Sequence, residues 1–323
     1  MTKTAFITGI TGQDGSFLAE LLLKKNYRVV GLVSASHDIG DQNIQTIKKQ
    51  LVLETGDLLD KKSLEKIVVK YRPEEIYNLA GITFLPASWQ KPALAFDVNA
   101  LGLVRLLELV RDASPHSRIY QATSAKIFGL PREVPQTETT PLNPVDPYGV
   151  AKAAGHWLVR QFREHFRIFA VSGILYNHES ERRGPEFVSR KITQTAVNIK
   201  LGLAKKLVLG NLEARQDWGY APDYTKAMWL MLQQKTAQDY IIASGETHSV
   251  RDVCAVAFSY LNLDYQHYVT TADKLFRPAE AAMLRGDSAK ARRILGWQPK
   301  TNFKDMIIKM VQNDLKLLKK GKS

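Results

Sequence analysis

Short apolar runs recur through the first half of the chain at Thr4 to Ile7, Arg28 to Val33, Gln50 to Glu54, Glu75 to Leu79, Arg118 to Ala122 and Ile168 to Gly173. Between them lie segments whose apolar positions repeat with helical spacing, such as Ser16 to Leu23, Lys62 to Tyr71 and Leu101 to Arg111. Strands alternating with helices predict an α/β fold built on a doubly wound parallel sheet. Such a sheet collects its ligands at the carboxyl ends of the strands. Ser124, the stretch Gly81 to Trp89, and Gly56-Asp57-Leu58 each follow a strand end, so all three are expected to face one crevice. After about Asn177 the texture changes: the loop 177–185 is long and polar, and later apolar runs are shorter. The pattern divides into a region 1–176 that carries the main sheet and a smaller region 177–323.

The first run leads into Thr8-Gly9-Ile10-Thr11-Gly12-Gln13-Asp14-Gly15 and then a helix. Strand, glycine turn and helix in that order are what a dinucleotide site requires. Gly9 permits the tight turn, Gly12 lets backbone approach a pyrophosphate, and Gly15 allows helix and strand to pack closely. Free N–H groups at the helix start then face the phosphates. At Asp57-Leu58 a carboxylate or a backbone group is placed to meet an adenine; the plainer reading is a turn with Asp57 near a helix cap.

Composition narrows the class. With 323 residues and 45% hydrophobic content the chain buries a large core. A single cysteine, Cys254, excludes an intramolecular disulfide and a thiolate-rich metal site, which fits a reducing compartment. No metal is expected. The chain opens almost directly on a strand and contains no run of ~18 apolar residues, so a soluble cytoplasmic protein that does not enter membranes is expected. The formal charge of +13 raises the local concentration of anions. Part of it lies in the tail Lys316, Lys319, Lys320 and Lys322, and the rest is spread without the clustering that nucleic acid demands. A phosphate-bearing small substrate is the economical partner.

Candidate chemistry centres on Ser124 and on Pro147-Tyr148-Gly149-Val150-Ala151-Lys152. On a helix Tyr148 and Lys152 share a face, so an ammonium beside a phenol would favour its ionised form. Bringing a phenol from pH ~10 to about 7 takes roughly 4 kcal/mol. The lysine together with a cationic cofactor ring is expected to supply it.

With these motifs in place, the sequence resembles the GDP-mannose 4,6-dehydratases, a family of extended short-chain dehydrogenase/reductases with a Rossmann-type domain. The resemblance runs through Tyr77-Asn78-Leu79-Ala80, Pro135 to Pro141, Asn177-His178-Glu179-Ser180, Asp217-Trp218-Gly219, Gly245 to Arg251 and Arg277-Pro278-Ala279-Glu280. It implies oxidation of a GDP-linked hexose at C4, with Tyr148 as base, Ser124 as oxyanion partner and Lys152 as orienter. The cofactor implied is NADP, with NAD as the alternative, held by Gly9, Thr11, Gly12, Gln13, Asp14, Gly15, Ser34, Asp57, Leu58, Leu79, Ala80, Gly81, Tyr148, Lys152 and Arg190. Substrate contacts are implied at Thr83, Ser88, Asn177, Glu179, Lys191, Arg215, Arg277 and Glu280. The resemblance also implies a homodimer or homotetramer joined through the helices around Leu101 to Arg111 and Tyr148 to His165.

The chain departs from the family at one chemically important point. The family's Ser/Thr-Ser-Glu, whose glutamate removes the C5 proton before water leaves C6, is Ser124-Ala125-Lys126 here. Either Lys126 is itself the base, or the enzyme acts as a 4-epimerase or 4-ketoreductase without loss of water. A noncatalytic nucleotide-sugar sensor is the third reading, against which the intact Ser124, Tyr148 and Lys152 set argues. After the second strand the family's arginine pair is Ser34-Ala35-Ser36-His37, which removes charge-assisted partners for a 2'-phosphate.

Overall fold

The computed structural model describes residues 2–34, 41–272 and 283–320. Its strands are β1 (Thr4–Thr8), β2 (Arg28–Val33), β3 (Val52–Thr55), β4 (Glu75–Asn78), β5 (Arg118–Ser124), β6 (Ala170–Leu175), β7 (Asn177–Glu179), β8 (Leu207–Leu209), β9 (Arg215–Tyr220), β10 (Tyr240–Ile242), β11 (Thr247–Ser249) and β12 (Val269–Thr271). Seven of these form one sheet in the order β10-β6-β5-β4-β1-β2-β3. Every pairing in it is parallel, from Thr4 opposite Arg28 to Tyr240 opposite Gly173. The expected doubly wound sheet is present.

Alternate residues of a strand face opposite layers, and β1 shows the rule. Ala5 and Ile7 enter a core with Leu18, Tyr77, Tyr120, Met228 and Trp297, while Phe6 enters another with Val30, Ile76, Leu103 and Ile119. Each fully buried Leu or Ile in these layers contributes about 1.5–3 kcal/mol. The helices start and stop for local reasons. Asp60 accepts from Lys62 N at 3.0 Å to open the helix Lys61–Tyr71, and Arg72 ends it in the left-handed region. Asp146 accepts from Gly149 N at 2.7 Å, Pro147 takes the first turn, and the helix Pro147–Phe166 runs to a left-handed Arg167. That cap fixes where Tyr148 stands.

The later chain builds a second cluster, in which Ile192, Val197, Trp218, Val253, Phe258, Met306 and Met310 pack together. It also returns to the large sheet. β10 adds the seventh strand beside β6, and the helix Ala221–Leu232 lays Tyr224, Ala227, Met228 and Met231 into the first core. The chain beyond 177 thus packs in both clusters. Pro92 to Leu101 is helical as well, ending in a π turn over Asp97–Leu101 before the helix Gly102–Ala113. The helical stretch starts nine residues before Leu101, where the apolar spacing alone places its beginning.

Candidate active site

At the end of β1 the chain turns at Gly9, with φ +71°, where a Cβ would lie 2.8 Å from Ala80 N. A Cβ on Gly15 would lie 2.2 Å from Gly9 O, so the helix Gln13–Lys24 abuts the turn through bare backbone. Gly12 is the N-cap, with its N–H on Gly9 O at 3.0 Å and only that oxygen, at 3.2 Å, near a built Cβ. The turn is thus closed on the sheet side and open on the outer side. A pyrophosphate fits such a cradle, because backbone N–H groups at the helix start point outward.

The neighbouring strand ends are tied by a polar chain. Thr8 Oγ1 donates to Asn78 Oδ1 at 2.7 Å and accepts from Leu79 N and Ala80 N, each at 3.1 Å. Asn78 Nδ2 continues to Gln121 Oε1 at 2.7 Å. On the far side of Ala80, Gly81 lies against Asn99, whose side chain pairs with both backbone groups of Ile82 at 3.0 Å. Asn99 sits in the π turn and is buried, a positioning role that an isolated asparagine in a helical stretch did not signal.

Ser124 ends β5 and opens a 3₁₀ turn by accepting from Lys126 N at 3.2 Å. Its hydroxyl is close enough to the Tyr148 phenol to act on it, so Ser124 and Tyr148 meet. Lys152 Nζ donates to Ala122 O at 2.8 Å and stands 5.7 Å from the Tyr148 ring centroid. A Cβ on Gly81 would lie 3.7 Å from the same ammonium, which places the loop after β4 beside the catalytic candidates. Lys126, on the turn itself, is half-buried.

The acidified phenol expected at Tyr148 calls on the lysine and a cofactor ring together. In the protein alone burial pushes it up to about 12, against the opposing pull of the Ser124 hydroxyl and the Arg183 charge. Burial likewise pushes Lys152 down to about 8, with the Asp14 carboxylate opposing. The ammonium is turned to a backbone carbonyl, and helical spacing alone did not bring it to the phenol oxygen.

The remaining candidates divide. Thr11, Gln13 and Asp14 line the glycine turn, and Ser34 follows β2 half-buried. Asp57 is exposed and accepts from Leu59 N at 3.0 Å, the turn-capping alternative; Leu58 is buried, with its carbonyl on Arg105 at 3.1 Å. Thr83 is exposed at the start of its loop, whereas Ser88 is fully buried and donates to Leu85 O at 2.7 Å within its own helix. Asn177 donates to Gln216 at 3.2 Å, and buried Glu179 accepts from Ser189 at 2.5 Å. Lys191 donates to Val208 O at 2.7 Å, and Arg215 to Thr247 O at 2.6 Å. Arg190 departs furthest from expectation: its guanidinium is buried and paired with Asp314 of the C-terminal helix, a partner 124 positions away. Arg277, Glu280 and residues 35–37 lie outside the described residues.

Two residues at the crevice escaped the sequence reading although they lie in or beside quoted motifs. His178 Nε2 is 2.8 Å from Asp14 Oδ2, and its Nδ1 is 2.7 Å from Tyr176 O. Arg183 lies over the Phe187 ring at 3.5 Å, pairs with Glu179 at 3.2 Å, and acts on both Tyr148 and Asp14.

A parallel sheet, an open glycine cradle and a Ser-Tyr-Lys set at one strand edge define a dinucleotide-dependent enzyme of the epimerase/dehydratase class. The fold agrees with UDP-glucose 4-epimerase of Thermus thermophilus in complex with NAD, at TM-score 0.85 and 25% identity over 96% of this chain and 98% of that one. It also agrees with RMD from Pseudomonas aeruginosa complexed with NADPH, at TM-score 0.81 and 21% identity over 98% of this chain and 100% of that one. Within this class the chain belongs to the GDP-mannose 4,6 dehydratase family, whose model matches residues 6–310. Relatives include GDP-mannose 4,6 dehydratase 2 of Arabidopsis thaliana, 45% identical over 99% of this chain and 89% of that protein. The GDP-mannose 4,6-dehydratase of Vibrio cholerae is 38% identical over 98% of this chain and 95% of its own length.

Proposed function

We propose that this chain oxidises a GDP-linked hexose of the GDP-mannose kind at C4 and completes the 4,6-dehydration. The observation that carries this is the meeting of Ser124 and Tyr148, beside Lys152, at the mouth of the glycine cradle, in a chain whose relatives at 38–45% identity bear the dehydratase name. A bound nicotinamide would supply the hydride acceptor and donor, and its ring the positive charge that the phenol lacks in the protein alone. Gly9, Gly12 and Gly15 keep the backbone open to its pyrophosphate.

Tyr148 then takes the proton of the C4 hydroxyl, and Ser124 holds the developing oxyanion by a hydrogen bond. Lys152, fixed on Ala122 O, orients the cofactor ribose. In this reading Lys126 removes the C5 proton made acidic by the adjacent ketone and passes it to the departing C6 hydroxyl, which leaves as water. The hydride taken from C4 would then return to C6 and the proton held by Tyr148 to C5, so that the net change is the loss of one water. Epimerase or ketoreductase action is less favoured, because the named relatives are dehydratases. NADP is our first choice of dinucleotide on family grounds and NAD the second; Arg190, committed to Asp314, adds no charge for a 2'-phosphate and lends NADP no support.

We also propose a homodimer through the two expected helices. Val150 and Trp157, seven apart on one helix face, are 45% and 48% exposed, with Leu94, Phe96 and Leu101 at 38–43% on the adjoining helical segment. The deciding experiment incubates the protein with GDP-mannose and either NADP or NAD and follows the sugar nucleotide by mass spectrometry. Loss of one water supports the reading. An unchanged mass with inverted C4 refutes it.

A further inference from the structure

His178 is held in an arrangement that selects one protonation state. Its two ring nitrogens each face an acceptor, the Tyr176 carbonyl at 2.7 Å and the Asp14 carboxylate at 2.8 Å. Both nitrogens therefore donate, and only the imidazolium has two N–H groups. Around it Gln13 Nε2 bridges Asp14 Oδ1 and the His178 carbonyl, each at 3.1 Å, and Ser180 donates to Gln13 Oε1 at 2.8 Å. The ring stacks on Tyr224 at 4.7 Å and 21°. These contacts clasp the first turn of the helix Gln13–Lys24 to β7, across 164 positions of sequence.

We propose that His178, as an imidazolium, is a positioning residue that holds the Asp14 turn in place for the dinucleotide, so that loss of its proton loosens the turn and weakens cofactor binding. A neutral ring leaves one lone pair facing an acceptor and breaks one of the two bonds. Among the charged and titratable groups facing the ring, Asp14 attracts the proton and Arg183 repels it; the Tyr224 phenol is neutral, held well above its ordinary value by burial. Burial opposes the charge on His178 but is outweighed, and the group titrates above the ordinary histidine value of about 6.5. The inference rests on the dinucleotide reading for its ligand, while the protonation state stands on the protein alone.

The test has two arms. In histidine-¹⁵N-labelled protein without dinucleotide, the signal missing from His178→Gln is expected to be mostly doubly protonated at pH ~6.5, where a free imidazole is half charged, and to lose its proton only at higher pH than the free imidazole does. NADPH and NADH affinities, read by their fluorescence, are expected to weaken about tenfold as the wild-type ring titrates, the effect of one charge-assisted hydrogen bond. In His178→Gln, whose amide donates at every pH, this part of the pH dependence is expected to vanish, leaving only the slope that Lys152 contributes from about pH 8. If His178→Gln does not fold, Asp14→Asn serves instead, moving the inflection to lower pH. A neutral His178 in the labelled protein, or wild-type and variant affinities that run parallel with pH, overturns the proposal. Absence of dinucleotide binding at any pH overturns the proposed function and the affinity half of this inference, and the imidazole signal still decides the other half.

Discussion

The ammonium of Lys152 donates to the carbonyl oxygen of Ala122 across 2.8 Å, in a site where the lysine is only 4% exposed. Burial dominates its proton affinity, lowering it from 10.5 to about 8. In the window between those values the unfolded chain still carries the proton while the folded chain does not. Stability must therefore rise with pH across it, the reverse of a lysine that gains a partner. Relative to Lys152→Met, the wild type is expected to gain about 3 kcal/mol in total as pH climbs through this window. Denaturant unfolding of both proteins at matched pH checks this; a difference that stays constant with pH refutes it.

Tyr148 is 8% exposed and its phenol lies beside the Ser124 hydroxyl, so Tyr148→Phe removes a hydroxyl without opening a cavity. Turnover is expected to fall by about 10²–10⁴ while dinucleotide binding persists, the range for loss of a general acid–base group. Steady-state turnover alongside a dinucleotide titration separates the two effects. Unaltered turnover would make the phenol a bystander.

Local signals in the sequence were read well, and distant pairings were not. The run at Arg28 to Val33 is β2 to the residue, because an apolar stretch between turn residues carries its own boundaries. Gly9 and Gly15 likewise announced the cradle, since only a residue without Cβ fits where backbone lies within 3 Å. Nothing local reveals that Arg190 meets Asp314, that His178 meets Asp14, or that β10 rejoins the large sheet. Lys152 shows the same limit. Spacing of four fixes a shared helix face, but the carbonyl that captures Lys152 comes from a strand thirty positions earlier.

Gly15 supports a sharp test of the cradle. A Cβ there would lie 2.2 Å from Gly9 O and 2.7 Å from Ile10 Cα, both backbone atoms that cannot rotate aside. Gly15→Ala is expected to cost about 1–3 kcal/mol, the usual penalty for overpacking, and to weaken dinucleotide binding by displacing the helix start. Thermal unfolding and a binding titration check both. An alanine variant with unchanged affinity would mean that the turn is not where the phosphates lie.

Trp157 reports on assembly. It is 48% exposed beside Val150, and a charge at its position would be costly to bury in an apolar contact between copies. Trp157→Glu is expected to shift the protein toward monomer in light scattering coupled to size exclusion, with its fold intact by circular dichroism. A wild type that is already monomeric, or a variant that keeps its mass, removes this helix face from the interface.

Lys126 separates oxidation from elimination. It sits two residues beyond Ser124, on a turn whose backbone is anchored by the Ser124 hydroxyl, so shortening its side chain leaves the Ser124 and Tyr148 arrangement in place. If the lysine is the C5 base, Lys126→Ala should still form reduced dinucleotide from a GDP-hexose in a single turnover. It should lose water from the sugar about 10²–10⁴ times more slowly, the range for removing a proton-transfer group. The measurement pairs absorbance of reduced dinucleotide with the mass of the sugar nucleotide in one sample. The sugar C5 should also stop exchanging its hydrogen for solvent deuterium. A variant that eliminates water at the wild-type rate transfers the role of base to another group, and one that cannot oxidise C4 shows that Lys126 serves the first step instead.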